Sequence, residues 1–461
     1  MMTKENMKQP NSYQTQSRGS GPSGLDRVRQ VAKRDGKTRF TALLHHVTID
    51  LLRDSYQSLK KRAAPGVDGV TWEEYGRDLE GRIQDLHRRI HRGAYQARPS
   101  RRVYIPKADG RQRPLGIAAL EDKVVQHAVG TVLNQIWEED FKGFSYGFRP
   151  GRSQHDALDA LYVGITRKRV SWVLDLDIRA FYDKIDHAWM VKFVEHRIGD
   201  GRIVRLIQKW LTAGVMEQGR WIETEEGTPQ GAVISPILAN LYLHYVLDLW
   251  ANQWRQKKAR GDVIIVRYAD DAVLGFQHRD EAEQFLAELR ERLGKFGLEL
   301  HPEKTRLIEF GRYAAARRKE HGLGRPETFN FLGFTHYCGT NRKTGRFEIF
   351  RKTIGKRMAA KLREIATKLR QRMHESVEET LKWLQAVVRG YFQYHAIPGN
   401  WARMEEFRKN VLRYWHRSLR RRSHRSRWTW TRFLALLVDQ IPEVRILHPF
   451  PNARFDAKHP R

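Results

Sequence analysis

Two apolar runs, Val263-Ile264-Ile265-Val266 and Ala272-Val273-Leu274-Gly275-Phe276, flank Tyr268-Ala269-Asp270-Asp271. Each run has the length and β-branched content of a buried strand, so the pattern predicts a hairpin with two adjacent carboxylates at its tip. A third run, Ser171 to Ile178, carries Asp175 and Asp177, which share one face of a strand because side chains alternate. Asp186 fits the N-cap of a helix running from His187 to about His196. Phe285, Leu289, Leu293 and Phe296 mark one helical face, and Arg306 to Phe310 reads as a further strand. The resulting order, β-α-β-β-α-β, is that of a split ferredoxin-like unit.

Upstream, amphipathic helical patterning covers Phe40 to Leu59, Ala64 to Thr71 is a turn cluster, and Leu79 to Ile90 is a helix. Arg102 to Pro106 and Pro114 to Ile117 predict a hairpin whose tip, residues 107–113, is basic; Glu121 to Trp137 predicts a helix. After Phe350 three basic helical runs follow, about Lys356–Met373, Val377–His395 and Met404–Leu419, with Pro398-Gly399-Asn400 between the last two. The first two dozen residues are polar, without apolar period, and read as a disordered tail. Pro442 and the run His448-Pro449-Phe450-Pro451 predict an irregular C-terminal tail.

Charge narrows the partner. The 461 residues carry a formal net charge of +31, which calls for a polyanion: nucleic acid first, an anionic membrane surface second. From Arg351 to Arg461 there are 26 Lys/Arg against 9 Asp/Glu, so over half of the excess lies in the last quarter. There Arg417, Arg420, Arg421, Arg422, Arg425 and Arg427 surround Trp415, Trp428 and Trp430, a pairing that can clasp phosphates and stack on bases. No run of about 18 apolar residues predicts a membrane span, and no apolar leader is visible. Cys338 is the single cysteine, which excludes an internal disulfide or a Cys-rich zinc module and suits a reducing cytoplasm.

Two ionised aspartates at one turn repel each other unless something positive lies between them, and Mg²⁺ with its preference for oxygen ligands is the usual remedy. Adding Asp177 to Asp270 and Asp271 gives three carboxylates, enough to hold two Mg²⁺ ions roughly 3.5–4 Å apart for nucleotidyl transfer. Asp177 reads as a metal ligand; Asp175 reads as a partly exposed strand residue or salt-bridge partner.

Several blocks in order resemble the reverse transcriptases, or maturases, encoded by group II introns: Pro65 to Gly69, Tyr104 to Gly116, Tyr146 to Ser153, Asp177 to His187, Gly227 to Pro236, Tyr268 to Asp271, Gly297 to Thr305, Phe331 to Phe334, and Arg389 to His395. The resemblance implies an α+β right-hand polymerase with fingers and ferredoxin-like palm, followed by an all-α thumb or maturase domain. It divides the chain into a disordered tail (1–39), an N-terminal extension (40–100), fingers and palm (101–345), thumb (346–420) and a basic nucleic-acid-binding segment (421–461). It also implies an Ile178 carbonyl on the metals. The triphosphate would be gripped by Lys107 and Arg113, a ribose 2′-hydroxyl excluded by Tyr182, the nascent base pair lined by Gln230 and Gly231, and the leaving pyrophosphate met by Lys304. Arg389 and the Arg/Trp cluster would contact nucleic acid. Partners would be intron RNA or another RNA template, a DNA primer or target, and dNTPs, for a monomer or homodimer at a prokaryotic nucleoid. The cysteines of the family's zinc-bound His-Asn-His endonuclease are missing from the sequence. Two alternatives stay open: an RNA-binding splicing cofactor, and a domesticated reverse transcriptase in repair or phage defence.

Overall fold

The computed structural model describes residues 24–106, 112–223, 226–228, 231–341, 343–422 and 428–459. Helices α1 (Gly24–Arg34) and α2 (Ile49–Ser58) pack on the long α5 (Leu120–Asp140), α4 (Leu79–His91) packs on α2, and α3 (Trp72–Gly76) packs on α4. The polar composition hides α1: the expected tail runs to residue 39, yet Val28 and Ala32 are buried against α5. Residues 1–23 lie outside the described residues. Thr48 caps α2, and Thr71 with Glu74 closes a capping box on α3, satisfying N–H groups that the first helical turn leaves open.

β1 (Ser100–Pro106) pairs antiparallel with β2 (Gln112–Ile117), the predicted basic hairpin. Then come α6 (Gln154–Arg167), β3 (Trp172–Leu176), α7 (His187–Arg197) and α8 (Gly201–Thr212). Asp186 accepts from the Trp189 N–H and caps α7 as its position predicts. β4 (Val215–Glu217) and β5 (Arg220–Ile222), too short to be legible in the sequence, extend the first sheet to the order β2-β1-β4-β5. α9 (Ser235–Leu243) runs through a π-turn, His244–Asp248, into α10 (Leu249–Lys257).

β6 (Val263–Tyr268), β7 (Asp271–Phe276), α11 (Arg279–Gly294) and β8 (Arg306–Glu309) complete the second sheet, in the order β6-β7-β3-β8 with every pair antiparallel. This is the split βαββαβ arrangement expected from the pattern. Alternation sorts its two faces. Leu174, Leu274 and Phe276 join Phe285, Leu289 and Leu293 of α11 in one core; Val173, Val273 and Ile308 join Leu158 and Leu161 of α6 in another. Each such fully buried side chain contributes roughly 1.5–3 kcal/mol.

α12 (Ala314–Glu320) precedes a meander of β9 (Phe329–Phe331), β10 (Phe334–Thr340) and β11 (Phe347–Thr353). Buried polar residues His336, Arg351 and Thr353 break the apolar alternation there, which is why the sequence does not announce these strands. His336 stacks flat on Phe329, and burial pushes its imidazole down to about 3.

The basic runs form α13 (Gly355–Gln371), α14 (Val377–His395) and α15 (Trp401–Arg420), joined by α16 (Trp430–Leu437) in a separate core that includes Leu384, Phe407, Trp415 and Phe433. Trp415 is fully buried and therefore packs rather than stacks on a base. The expected irregular tail is also corrected. Pro451 starts α17 (Pro451–Lys458) at a position where a missing N–H costs nothing. α17 lies on α6, with Arg454 bonded to buried Asp159, Lys458 Nζ 2.7 Å from Asp156, and Arg167 forked on Asp456 at 2.7 and 2.8 Å. Asp159 also faces Arg351 of β11 at 3.5 Å.

Removing Arg454 leaves Asp159 buried with one distant partner. Arg454→Ala is expected to cost roughly 1–3 kcal/mol and Lys458→Ala, at a half-exposed pair, less than about 1 kcal/mol. Thermal unfolding of both variants tests this ranking; equal midpoints would contradict it.

Candidate active site

The β3–β7 register decides where the acidic residues meet. Leu176 pairs with Ala272 as the last rung, so one step further Asp177 comes opposite Asp271. Directly opposed antiparallel residues stand with Cα atoms about 4.5–5.5 Å apart. Tyr268 pairs with Asp271 across the hairpin, leaving Ala269-Asp270 as its two-residue turn. Ala269 adopts φ +55, a left-handed conformation uncommon for a residue with a Cβ. Gly147 permits it: a Cβ there would come within 2.2 Å of the Ala269 nitrogen. Asp175, Asp177 and Asp271 lie on one face of the sheet by alternation, while Asp270 leaves the turn.

The carboxylates feel one another. Burial raises the Asp271 pKa to about 6, Asp270 and Asp177 push the same way, and Arg357 and Arg113 oppose. The residue is nonetheless exposed to solvent. Burial also raises Asp270, opposed by its own backbone N–H and by Arg113, with Asp177 adding to the rise. Asp175 is pushed up to about 7 by burial while Arg306, 3.8 Å away, opposes; it is the salt-bridge partner the sequence suggested. Asp177 leans on Lys304, whose Nζ donates to Oδ2 at 3.1 Å and to Oδ1 at 3.4 Å. Among the described residues no three acidic, His or Cys side chains are already drawn together as a metal cage. The donor set itself fits a hard divalent cation, being all oxygen and short of positive charge, provided Asp177 turns from Lys304.

Asp270 and Asp271 face different company. Arg113 on β2 and Tyr182 lie on the Asp270 side: burial raises the Tyr182 phenol well above its ordinary value, with Asp270 adding and Arg113 opposing. The Tyr182 carbonyl accepts from the Thr228 N–H at 2.8 Å, and the buried Thr228 hydroxyl sits 2.7 Å from that of Ser235, so the Gly227-Thr228 loop is clamped to Tyr182. Gly231 takes φ +114, and a Cβ there would lie 3.0 Å from the Gly116 carbonyl, so only glycine suits this approach to β2. Asp271, which Arg113 also reaches, feels Arg357 of α13 in addition and lies near Tyr394 of α14. Tyr394 donates to the Leu332 carbonyl at 2.6 Å, holding the tip of the β9–β10 hairpin.

Hydrogen bonds from the β3 end to Glu299 and His301 use the Asp177 carbonyl and the Arg179 N–H, not the Ile178 carbonyl. Lys107, Gln230, Arg425 and Arg427 lie outside the described residues. Arg389, Arg417, Arg420 and Arg421 are exposed on α14 and at the end of α15, away from the helical core. Arg422 and Trp428 are half-buried; Trp428 packs against that core with Arg432 over its ring, so it is not an open stacking platform. Sequence reasoning missed Arg267, Asp248 and Asn240 beneath the turn. A charged residue inside an otherwise apolar buried strand was the available signal.

With this geometry in place, comparison with known proteins adds the following. Residues 105–336 match the family described as reverse transcriptase (RNA-dependent DNA polymerase). Protein YkfC of Escherichia coli K12 is 36% identical over 280 residues, covering 54% of this chain and 74% of that protein. The group II intron-encoded protein LtrA of Lactococcus lactis subsp. cremoris is 34% identical over 235 residues, covering 50% of this chain and 39% of that one. An uncharacterized 91 kDa protein in the cob intron of Schizosaccharomyces pombe is 38% identical over 178 residues, covering 39% and 22% respectively. The chain thus spans well under half the length of the latter two.

The raised Asp271 pKa means that this carboxyl binds its proton more tightly in the folded, metal-free protein than in the unfolded chain, so its charge opposes folding above about pH 6 and that opposition fades as pH falls from there toward the ordinary carboxylate value. Asp271→Asn is therefore expected to raise the thermal midpoint at pH 7.5 in chelator-treated buffer. The gain should shrink as pH falls through about 6. A gain independent of pH, or a loss, would show that Asp271 is not held against its neighbours' charge.

Proposed function

Because this chain belongs to the reverse transcriptase (RNA-dependent DNA polymerase) family, we propose that it extends a DNA primer on an RNA template from dNTPs. The convergence of Asp177 with the Asp270-Asp271 turn carries this reading, since an apolar strand end and a hairpin tip share no other reason to assemble three carboxylates. The primer 3′-oxygen bonds to the α-phosphorus of the dNTP, the α-phosphorus–oxygen bond to the β-phosphate breaks, and pyrophosphate leaves with the electron pair. Two Mg²⁺ ions, when bound, would supply a lowered hydroxyl pKa and offset the charge on the triphosphate.

The protein's own residues do the rest. Asp177, Asp270 and Asp271 would hold the ions, with the Ile178 carbonyl as a further donor. Asp271, on the α13 side, serves the position of the site as much as direct ligation. Arg113 approaches the triphosphate from the Asp270 side, where a planar guanidinium suits a phosphate, joined by Lys107. Tyr182, clamped by Thr228 beside Asp270, presents a rigid ring where a 2′-hydroxyl would lie. Gly231 and Gln230 line the new base pair. Lys304, paired with Asp177 here, would be free to meet the leaving pyrophosphate once that carboxylate serves as a metal ligand, so one ammonium would serve two partners.

A second role, helping a group II intron RNA to fold, splice and move, is supported by the exposed arginines of α14 and α15 and by the similarity to an intron-encoded protein. No helix among the described residues is long and apolar enough to cross a membrane.

Asp270→Ala is expected to abolish Mg²⁺-dependent primer extension on RNA, at least 10³-fold by order of magnitude, while RNA affinity stays near wild type. Gel-based extension beside filter binding checks both; persistent extension removes the metal assignment. Tyr182→Ala should raise ribonucleotide incorporation relative to deoxyribonucleotide, read as the ratio of kcat/KM values. An unchanged ratio removes the gating role.

A further inference from the structure

The catalytic turn does not hold itself. Ala269 sits in a left-handed conformation without being glycine, and the two carboxylates that follow it repel. Such a conformation persists only where the surroundings over-determine it. Directly behind the turn lies Arg267, fully buried at the end of β6.

All five N–H groups of its guanidinium are used. Nε donates to Asp248 Oδ1 at 2.7 Å and Nη2 to Asp248 Oδ2 at 2.6 Å, a two-pronged ion pair with a carboxylate that is itself buried. Nη2 also donates to Ser145 Oγ at 2.8 Å. Nη1 donates to Asn240 Oδ1 at 3.0 Å and to the carbonyl of Ala269 at 2.8 Å. The last bond fixes the peptide that joins Ala269 to Asp270. The network is also closed behind the arginine. Asn240 Nδ2 donates to the Gly147 carbonyl at 2.6 Å, and Gly147 is the residue packed without a side chain against the turn. The Arg267 main chain donates to the Phe144 carbonyl at 2.9 Å and accepts from the Tyr146 N–H at 2.8 Å. Asp248 closes the π-turn between α9 and α10, an irregularity that recurs at functional sites.

We propose that Arg267 is a positioning residue for the polymerase site: by locking the Ala269 carbonyl it sets the direction in which Asp270 presents its carboxylate. This rests on the polymerase reading above. The role needs arginine. A lysine has three donors on one flexible stem and cannot span Asp248, Asn240, Ser145 and Ala269 together. It also explains why a buried charge is kept inside an apolar strand. A hydrophobic pair would pack as well or better but could not reach the turn carbonyl.

Three measurements on Arg267→Lys and Asn240→Ala in the full chain test this, with wild type alongside. In hydrogen exchange followed by mass spectrometry, the peptide spanning the β6–β7 turn should exchange at least about tenfold faster in Arg267→Lys, with α14 peptides unchanged. In primer extension, kcat should fall roughly 10²-fold and the half-saturating Mg²⁺ concentration rise several-fold. RNA affinity and the KM for dNTP should stay within about twofold, as expected when orientation rather than binding is lost. Asn240→Ala, which removes a co-acceptor of the same Nη1, should show smaller effects of the same kind, and it decides the matter alone if Arg267→Lys does not fold. The inference is overturned if the folded variants keep wild-type turn exchange and wild-type Mg²⁺ response, even with a lowered melting temperature. Failure of the polymerase reading looks different: wild type itself would then not extend a primer.

Discussion

Mutual repulsion among Asp177, Asp270 and Asp271 is the constraint around which this molecule is built. Strand pairing brings Asp177 opposite Asp271, and the turn adds Asp270 beside them. No isolated hairpin would tolerate that arrangement cheaply, and burial makes it worse by raising the carboxylate pKa values. The structure answers with cations at graded distances. Lys304 touches Asp177, Arg113 and Arg357 act on the turn aspartates from the β2 and α13 sides, and Arg267 ties the backbone from beneath. Each of these comes from a different segment, so the acidic centre links the first sheet, the second sheet and the helical unit. Even so, burial leaves the Asp270 and Asp271 carboxyls raised, and an oxygen-liganded divalent cation would favour their charged forms.

Much of this was legible in the chain. The alternation in residues 171–178 and 263–276 predicted β3, β6 and β7, and the acidic positions within those runs predicted the meeting of carboxylates. The order of elements predicted the ferredoxin-like topology, confirmed by the strand order β6-β7-β3-β8. Helices with a strong apolar face, such as α4 and α15, were equally plain. What failed shares one cause: a local pattern overridden by tertiary partners. α1 is polar except for the positions that rest on α5. β10 and β11 bury His336 and Arg351, which a period-two reading counts as surface. Pro451 breaks a helix anywhere but at its first turn, where it stands. Trp415 and Trp428 looked like partners for nucleic acid beside so many arginines, yet they fill or edge the helical core.

The C-terminal region also takes a different meaning from its composition. Its arginines divide between two tasks. Those on the outer sides of α14 and α15 face solvent and remain available to a polyanion. Arg454 and Lys458 are spent on Asp159 and Asp156, where α17 returns to α6, the helix packed on the sheet face of Val173 and Val273. The helical unit is thereby attached to the sheet through β11, which leads into α13, and again through α17, with Arg351 of β11 and Arg454 of α17 meeting at Asp159. Net charge alone could not have separated a surface that binds from a strap that fastens.

The central claim, that three aspartates from β3 and the β6–β7 turn form one divalent-cation centre, is tested most directly by anomalous scattering. Crystals of the chain with an RNA template, a DNA primer and a non-hydrolysable dNTP would be grown in Mn²⁺. The account predicts two anomalous peaks roughly 3.5–4 Å apart, bracketed by the carboxylates of Asp177, Asp270 and Asp271, with the Lys304 ammonium displaced from Asp177. A fully bound complex with no peak at these residues, or with Asp177 still paired to Lys304, would contradict it.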